Sequence, residues 1–316
     1  MAMREWKAEL TGRVLVLVAH ADDECVGYGA LLQKTREAVV VIATDGAPRD
    51  EFFRGRYGSR ERYAAVRREE AQRAAQVAGV RELVLLAEED GRLGGHQFER
   101  HRFEDQRLFL NLAAAYELAA KVAERVRPEA IATLAYEGGH PDHDCCSLLG
   151  ARLGARLGVP VWETALYARG KVSKVQGFKV SEVKGTGESN GNRNGVEGGA
   201  PDDPTSAKGE QIWGTQTGPD GELRVQEFLC ANGTEQRVEI SAAELERKRA
   251  MVSEYESQQS ELLESFDLAR EVVRPQVRYD YGRAPHEGRT NYECWGWWMS
   301  AREVSARLAE FLESGR

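Results

Sequence analysis

The chain has 316 residues, of which 41% are hydrophobic and 30% charged, and a formal net charge of −8. That length allows one large domain or two smaller ones with a substantial core. The acidic balance disfavours non-specific contact with nucleic acid or an anionic membrane, both of which need a positive face. The longest apolar run near the N-terminus, Val14 to Ala19, falls far short of the ~20 residues of a membrane span, and the first ten residues lack the apolar stretch of a signal peptide. Five cysteines without a CxxC pair indicate neither a disulfide framework nor a four-cysteine zinc site. A cytoplasmic protein without a membrane span is expected.

Arg13–Ala19 is a continuous apolar, β-branched run, as a strand buried on both faces requires. A helix is expected from about Glu24 to Arg36, and a second buried strand over Val39–Ala43. Ser59 is placed to cap a helix running to Ala78, where Gly79 stops it. Leu83–Leu86 reads as a third strand, Asp105 to Val126 as a helix closed by Pro128, and Ala130–Leu134 as a fourth strand. A helix over Cys145–Leu157 and a strand beginning at Val159–Trp162 complete the series. This alternation predicts an α/β fold, a Rossmann-like, mostly parallel sheet with helices on both faces.

After Gly170 the pattern changes. Short alternating pieces at Lys171–Val183, Gln211–Thr215, Leu223–Leu229 and Gln236–Ile240 surround a Gly-rich polar stretch over 185–208 that buries too little apolar surface to order firmly. A helix resumes at Ser241, which has capping-box spacing to Glu244, and is expected to run on to Phe266. An aromatic stretch from Arg274 to Trp298 precedes a last helix, Ala301 to Leu312. The expected organisation is a Rossmann-like core over 1–170, a β-rich insertion with a flexible loop over 171–240, and C-terminal helices with an aromatic segment over 241–316 that complete the core.

Two clusters carry chemistry. His20-Ala21-Asp22-Asp23-Glu24 follows the first strand and His140-Pro141-Asp142-His143-Asp144 the fourth. In the strand order 3-2-1-4-5 these strands are neighbours at the point where the order reverses, and ligands bind at their carboxyl ends. Two imidazoles and one carboxylate leave a fourth position open for water, the pattern of a catalytic zinc. A divalent cation lowers the pKa of that water and polarises a carbonyl, and a spare neighbouring carboxylate can take its proton. Pro141 is expected to keep His140 and His143 off a regular helix. Taken alone, Asp22, Asp23 and Glu24 would be an N-cap and first-turn acids; it is their company that favours a site.

The segments AHADDE (Ala19–Glu24) and GGHPDH (Gly138–His143) resemble the paired signatures of the PIG-L/LmbE-like zinc-dependent N-deacetylases, which remove acetyl groups from N-acetylglucosamine-type amino sugars. The resemblance covers about residues 13–168, with KRAMVSEYESQ (Lys248–Gln258) similar to a C-terminal helix of the family. Ala21 stands where the family usually has Pro, a position that carries no ligand atom. The resemblance implies that His20, Asp23 and His143 hold the zinc and that Asp22 is the general base. It further implies that His140, as an imidazolium kept charged and oriented by Asp142, stabilises the oxyanion, and that Arg67 and Asp90 bind the sugar. Fe2+ also suits two histidines and a carboxylate.

Other features are given structural readings. Cys145 and Cys146 are expected to pack. Cys25 opens a helix whose dipole would lower its pKa, with no partner evident. Trp295, Trp297 and Trp298 are expected in the core rather than stacked on a sugar. Gly27 and Gly29 lack the full dinucleotide pattern, and Asp45 is a weaker cleft candidate. The expected activity is removal of an N-acetyl group from an amino-sugar substrate or its conjugate. The alternatives are the same chemistry on another acylated conjugate, or a catalytically silent sugar-binding protein. Homo-oligomerisation is left open.

Overall fold

A computed structural model describes residues 8–88, 103–170 and 221–315. The chain opens with a short helix α1 (Ala8–Thr11), then alternates β1 (Arg13–Val18), α2 (Asp23–Lys34), β2 (Glu37–Ile42), α3 (Glu51–Tyr57), α4 (Arg60–Ala78) and β3 (Glu82–Leu85). After a 3-10 turn at Leu108–Leu110 come α5 (Leu112–Val126), β4 (Ala130–Leu134), α6 (Pro141–Leu157), β5 (Val161–Thr164) and β6 (Tyr167–Gly170). The last part contains β7 (Glu222–Val225), β8 (Gln236–Arg237), α7 (Ala242–Ser253), α8 (Glu261–Glu264), β9 (Val272–Pro275), α9 (Asn291–Cys294) and α10 (Ala301–Glu313).

Among the described residues the main sheet has seven strands in the order β3-β2-β1-β4-β5-β9-β8. The first five are parallel; β9 and β8 add an antiparallel edge. β1 and β4 are buried over nearly their whole length, as continuous apolar runs demand when helices cover both faces. The strand order reverses between β1 and β4, so right-handed crossovers send successive helices to opposite faces. α2, α4 and α7 pack on one another, and α5, α6 and α10 form a second group. β6 and β7 make a separate antiparallel ribbon.

Local signals act as the residues suggest. Ser59 accepts from the Arg62 N–H, and Gly79 ends α4 in the left-handed region at φ 72°. Ser241 and Glu244 form a reciprocal capping box.

Four expectations are corrected. The helix expected from Asp105 begins only at Leu112, because the N–H groups of Gln106 and Leu108 are committed to the Asp142 carboxylate (2.7 and 3.0 Å) instead of to a helical ladder. α6 begins at Pro141 rather than Cys145. His140 is its N-cap, Pro141 stands where a missing N–H costs nothing, and His143 is therefore helical. The helix from Ser241 stops at Ser253, a 3-10 turn at Glu256–Gln258 follows, and α8 is separate. Ser257 N–H and Oγ are drawn onto the buried carboxylate of Glu70 at 2.7 and 2.6 Å, which pulls the chain out of helical register. Finally, Gln236–Arg237 pairs with β9 and so extends the main sheet. The pieces expected at Lys171–Val183 and Gln211–Thr215, and the Gly-rich stretch between them, lie outside the described residues.

Candidate active site

The carboxyl ends of β1 and β4 bring the two clusters together. Asp22 sits at the N-cap of α2 but makes no capping bond with its side chain, and its backbone holds φ at 120°. A non-glycine residue in that region is strained, a cost of order 1–3 kcal/mol seen chiefly where function needs a side chain aimed. Here the strain turns the Asp22 carboxylate away from the helix end and towards the cleft that it lines. Asp23, one residue on, is fixed by its Oδ2, which accepts the N–H groups of His20 (2.8 Å) and Ala19 (3.2 Å).

The loop after β4 is equally constrained. Asp144 accepts the N–H groups of Glu137 and Gly138, both at 3.0 Å, and so ties the loop to the helix it precedes. Gly139 is required by close approach: a Cβ there would lie 1.9 Å from the carbonyl oxygen of Tyr167.

His20, Asp23 and His143 form one buried group able to hold a metal ion. His20 Nδ1 lies 3.3 Å from His143 Nε2, which lies 3.3 Å from Asp23 Oδ1. A tetrahedral site with bonds of about 2.0–2.1 Å has donor–donor edges of about 3.3–3.4 Å, so the donors fit a zinc-sized cation in type and spacing. His20, Asp105, His140 and Asp142 form a second group of potential ligands, sharing His20 with the first.

Burial pushes the Asp22 carboxyl up to about 7, against the pull of Arg67, whose Nη2 is 3.6 Å away. Burial also acts on Asp23 and Asp105, yet the imidazoles beside them hold both well below the usual carboxylate range. His20 is raised well above its ordinary value because the carboxylates of Asp105, Asp142 and Asp23 outweigh its burial. His140 is lowered, first by burial and then by the charge of His20.

His140 and Asp142 depart from the expected pairing. The ring of His140 caps α6, its Nδ1 accepting the Asp142 N–H at 3.1 Å. A nitrogen that accepts cannot carry a proton, so the ring is neutral with its proton on Nε2. The Asp142 carboxylate is turned away from that nitrogen, with Oδ2 3.9 Å from Nδ1. It accepts Gln106 and Leu108 N–H and lies 3.3 Å from His20 Nε2. The backbone of Asp142, and not its carboxylate, thus addresses the His140 ring. The carboxylate that reaches its Nε2 is Asp105, at 3.2 Å.

Arg67 is buried beside the pair. Its Nη2 donates to the Ala21 carbonyl, while Nε and Nη1 find no hydrogen-bond partner among the described residues. Asp90 lies outside the described residues. The cleft has a volume of about 130 Å³ and is walled by Tyr63, Tyr167 and Trp297 and, on the C-terminal side, by Gln258, Leu262 and Phe266. Trp297 meets His140 edge-on at 4.8 Å between centroids, whereas Trp298 is exposed and stacks on Phe109. The expectation of three core tryptophans thus fails at Trp298, and Trp297 packs and lines the cleft at once. Asp45 lies outside this cleft, paired with Arg60. Cys145 and Cys146 are fully buried. Burial, with Glu24 beside it, pushes the Cys25 thiol up rather than down, and that thiol donates to Glu24. Asp105 and Tyr63 carry no mark in a single sequence; Gln258 closes the segment similar to a C-terminal helix of the family and Trp297 reads there only as a packing residue, and all four reach the cleft through the fold.

A buried cluster of histidines and carboxylates at the reversal point of a parallel sheet defines an α/β protein with a candidate metal-hydrolase centre. Residues 15–153 match the model of the PIG-L family, described as GlcNAc-PI de-N-acetylase. No curated protein matches the chain. Among solved structures, it resembles a deacetylase triple mutant (Orf2*T) of the teicoplanin biosynthetic pathway at 18% identity and a TM-score of 0.53, covering 85% of this chain and 99% of that one. It also resembles the A40926 pseudoaglycone deacetylase Dbv21 at 16% identity and a TM-score of 0.51, covering 84% and 98%. The zinc-inhibited form of teicoplanin deacetylase Orf2 matches at 14% identity and a TM-score of 0.53, over 85% and 99%. At these identities the likeness speaks for a shared fold. Among the described residues no helix is long and apolar enough to cross a membrane.

Proposed function

We propose that the chain is a metal-dependent N-deacetylase that hydrolyses the acetamide of an N-acetylglucosamine-type amino sugar or its conjugate. The observation that carries this reading is the meeting of His20, Asp23 and His143 beside an uncapped, strained Asp22. The PIG-L match and the deacetylases that share the fold support it.

His20 through Nδ1, His143 through Nε2 and Asp23 through Oδ1 would hold the cation, Zn2+ by the donor set. Such a cation, when bound, supplies Lewis-acid polarisation of the acetyl carbonyl and acidifies water. Asp22, with a pKa near 7 from burial, takes a proton from the attacking water and returns it to the leaving amine; a base is most effective when its pKa lies near the working pH. His140 has one N–H, at Nε2, which faces Asp105 Oδ1 at 3.2 Å and is shared with the oxyanion of the tetrahedral intermediate as that forms; the Asp142 N–H on the other nitrogen fixes the ring in advance. Arg67 has unspent donors for a sugar hydroxyl. Asp142 orders the Gln106–Leu108 turn that closes one side of the cleft.

The test is acetate release from GlcNAc, its oligomers and GlcNAc conjugates, by protein purified without added metal and analysed for bound zinc and iron. Turnover that disappears on chelation and returns with Zn2+ supports the reading. A metal-loaded chain that binds these sugars and releases no acetate from any of them overturns it in favour of a silent sugar-binding protein. Iron as the purified metal leaves the chemistry and replaces the cation.

A further inference from the structure

Asp105 belongs to neither motif, yet its Oδ1 lies 3.3 Å from His20 Nε2 and 3.2 Å from His140 Nε2. Among the described residues this buried oxygen has no hydrogen-bond partner, and the two ring nitrogens are the groups that stand within ion-pair distance of it. Its surroundings hold it in place. The Asp105 N–H points at Asp45 Oδ1 (3.4 Å), and Asp45 is in turn paired with Arg60 and accepts the Ala47 N–H. On the other side, Gln106 takes a left-handed φ of 66° and donates its N–H to Asp142.

The nitrogens opposite Asp105 settle where the protons are. His140 Nδ1 accepts an N–H, so the proton of His140 is on Nε2. His20 Nδ1 faces His143 and Asp23, and a nitrogen that ligates a cation must present a bare lone pair. The proton of His20 is then also on Nε2, hydrogen-bonded to Asp142 Oδ2 at 3.3 Å with Asp105 Oδ1 beside it at the same distance. One oxygen of Asp105 therefore stands before the N–H groups of both rings.

We propose that Asp105 is a positioning residue that joins the metal ligand His20 to the oxyanion donor His140. Its carboxylate orients both rings and adds negative charge beside the cation. Partners of this kind fix the tautomer of a ligating histidine and raise its basicity, and their loss costs about 10–100-fold in metal affinity or activity. The His140 half of the proposal rests on the deacetylase reading; the His20 half concerns cation affinity alone.

The experiment compares the intact chain with Asp105→Asn and Asp105→Glu. Zn2+ affinity is measured by competition with a chromophoric chelator, the histidine tautomers by 15N NMR of the Zn2+-loaded protein, and kcat and KM on the best amino-sugar substrate. Asp105→Asn is expected to weaken Zn2+ about 10–100-fold and to lower kcat at saturating Zn2+ with KM nearly unchanged, while Asp105→Glu retains more of both. Wild-type Zn2+ affinity in Asp105→Asn overturns the proposal. So does an Nδ1–H tautomer of His20 in the Zn2+-loaded wild-type protein, a readout that survives if the variant fails to fold. If the wild-type chain releases no acetate but Asp105→Asn still loses Zn2+, the deacetylase reading falls and the positioning of His20 stands. If acetate release is intact and Zn2+ affinity unmoved, Asp105 alone is refuted.

Discussion

Two groups of buried charges lie along α2, one against its middle and one at its N-terminus, and they are built on opposite rules. Against the middle of the helix, Lys248 and Glu271 are fully buried and fully satisfied. Glu271 accepts the N–H groups of Ala30 (2.6 Å) and Leu31 (3.2 Å) and the ammonium of Lys248 (2.7 Å), which also donates to the Val26 carbonyl at 2.9 Å. At the N-terminus of the same helix, Asp22 makes no cap, Asp105 Oδ1 and two nitrogens of Arg67 lack hydrogen bonds, and the backbone is strained. The first pair is fully buried, Asp22 and Asp105 slightly less so, but the larger difference is in satisfaction. Charges that hold a fold together are saturated by it, whereas charges meant for a ligand keep unspent capacity and raise the free energy of the empty site.

The sharpest way to break this contrast is at Asp22. Asp22→Asn is expected to lower kcat by about 10²–10⁴, the usual contribution of a positioned base, with zinc content unchanged. Stability should move the other way. The folded pKa of Asp22, about 7, lies above its ordinary 3.8, so the stability it contributes is complete below about 4 and is lost as the pH rises through 7. At pH 8 the Asn variant should be at least as resistant to urea as the parent, with the two converging towards pH 4. A variant markedly less stable at pH 8 would mean that Asp22 is a structural acid.

Lys248→Met is the mirror experiment. It leaves Glu271 buried and unpaired and should cost about 3–5 kcal/mol in a urea titration, while the protein that remains folded binds zinc in unchanged ratio. Adding Glu271→Gln should recover part of that loss, because the second change removes the stranded charge. Loss of zinc at full stability would contradict a purely structural role.

A smaller effect is expected at Gly29, where a Cβ would stand 2.8 Å from the Lys248 side chain. Gly29→Ala improves helix propensity but overpacks the contact, and should cost about 1–3 kcal/mol. A stabilised variant would show that Lys248 has room to retreat.

The sequence was most readable where a local rule and the fold agree. Alternating apolar runs and strand counting sufficed to bring His20 and His143 to one edge, because a parallel sheet whose order reverses leaves few other places for them. Ser59, Gly79 and the Ser241 box marked helix ends through bonds made within four residues. What stayed hidden depends on contacts distant in the chain. Asp105 looked like the first acid of a helix until Asp142, 37 residues later, took the N–H groups that a helix would use. His140 looked like a charged partner of Asp142, and only the cap geometry shows that the backbone, not the carboxylate, addresses its ring. Gly27 and Gly29 read as an incomplete nucleotide loop; their real partners, Thr164 and Lys248, come from strands and helices far downstream.

Arg67 offers the finest probe of the contrast, because it lies against Asp22 without saturating it. Burial raises the Asp22 carboxyl and Arg67 opposes that rise. For a base that must be ionised, activity falls as the pH drops through its pKa, so kcat/KM of the parent should decline below its acid limb about tenfold per pH unit. Arg67→Met removes the opposing charge and keeps an apolar stem of similar reach. The limb should therefore move to higher pH, by about one unit for each 1.4 kcal/mol of lost interaction. A cation held by His20, Asp23 and His143 lowers the Asp22 pKa in both proteins, so it sets where each limb lies and not the direction between them. The absolute rate will also fall if Arg67 contacts the sugar, but the position of the limb is independent of that loss. A limb that stays in place while KM rises would assign Arg67 to substrate alone, and would leave the Asp22 shift to burial and the neighbouring Asp23, Glu24 and His20.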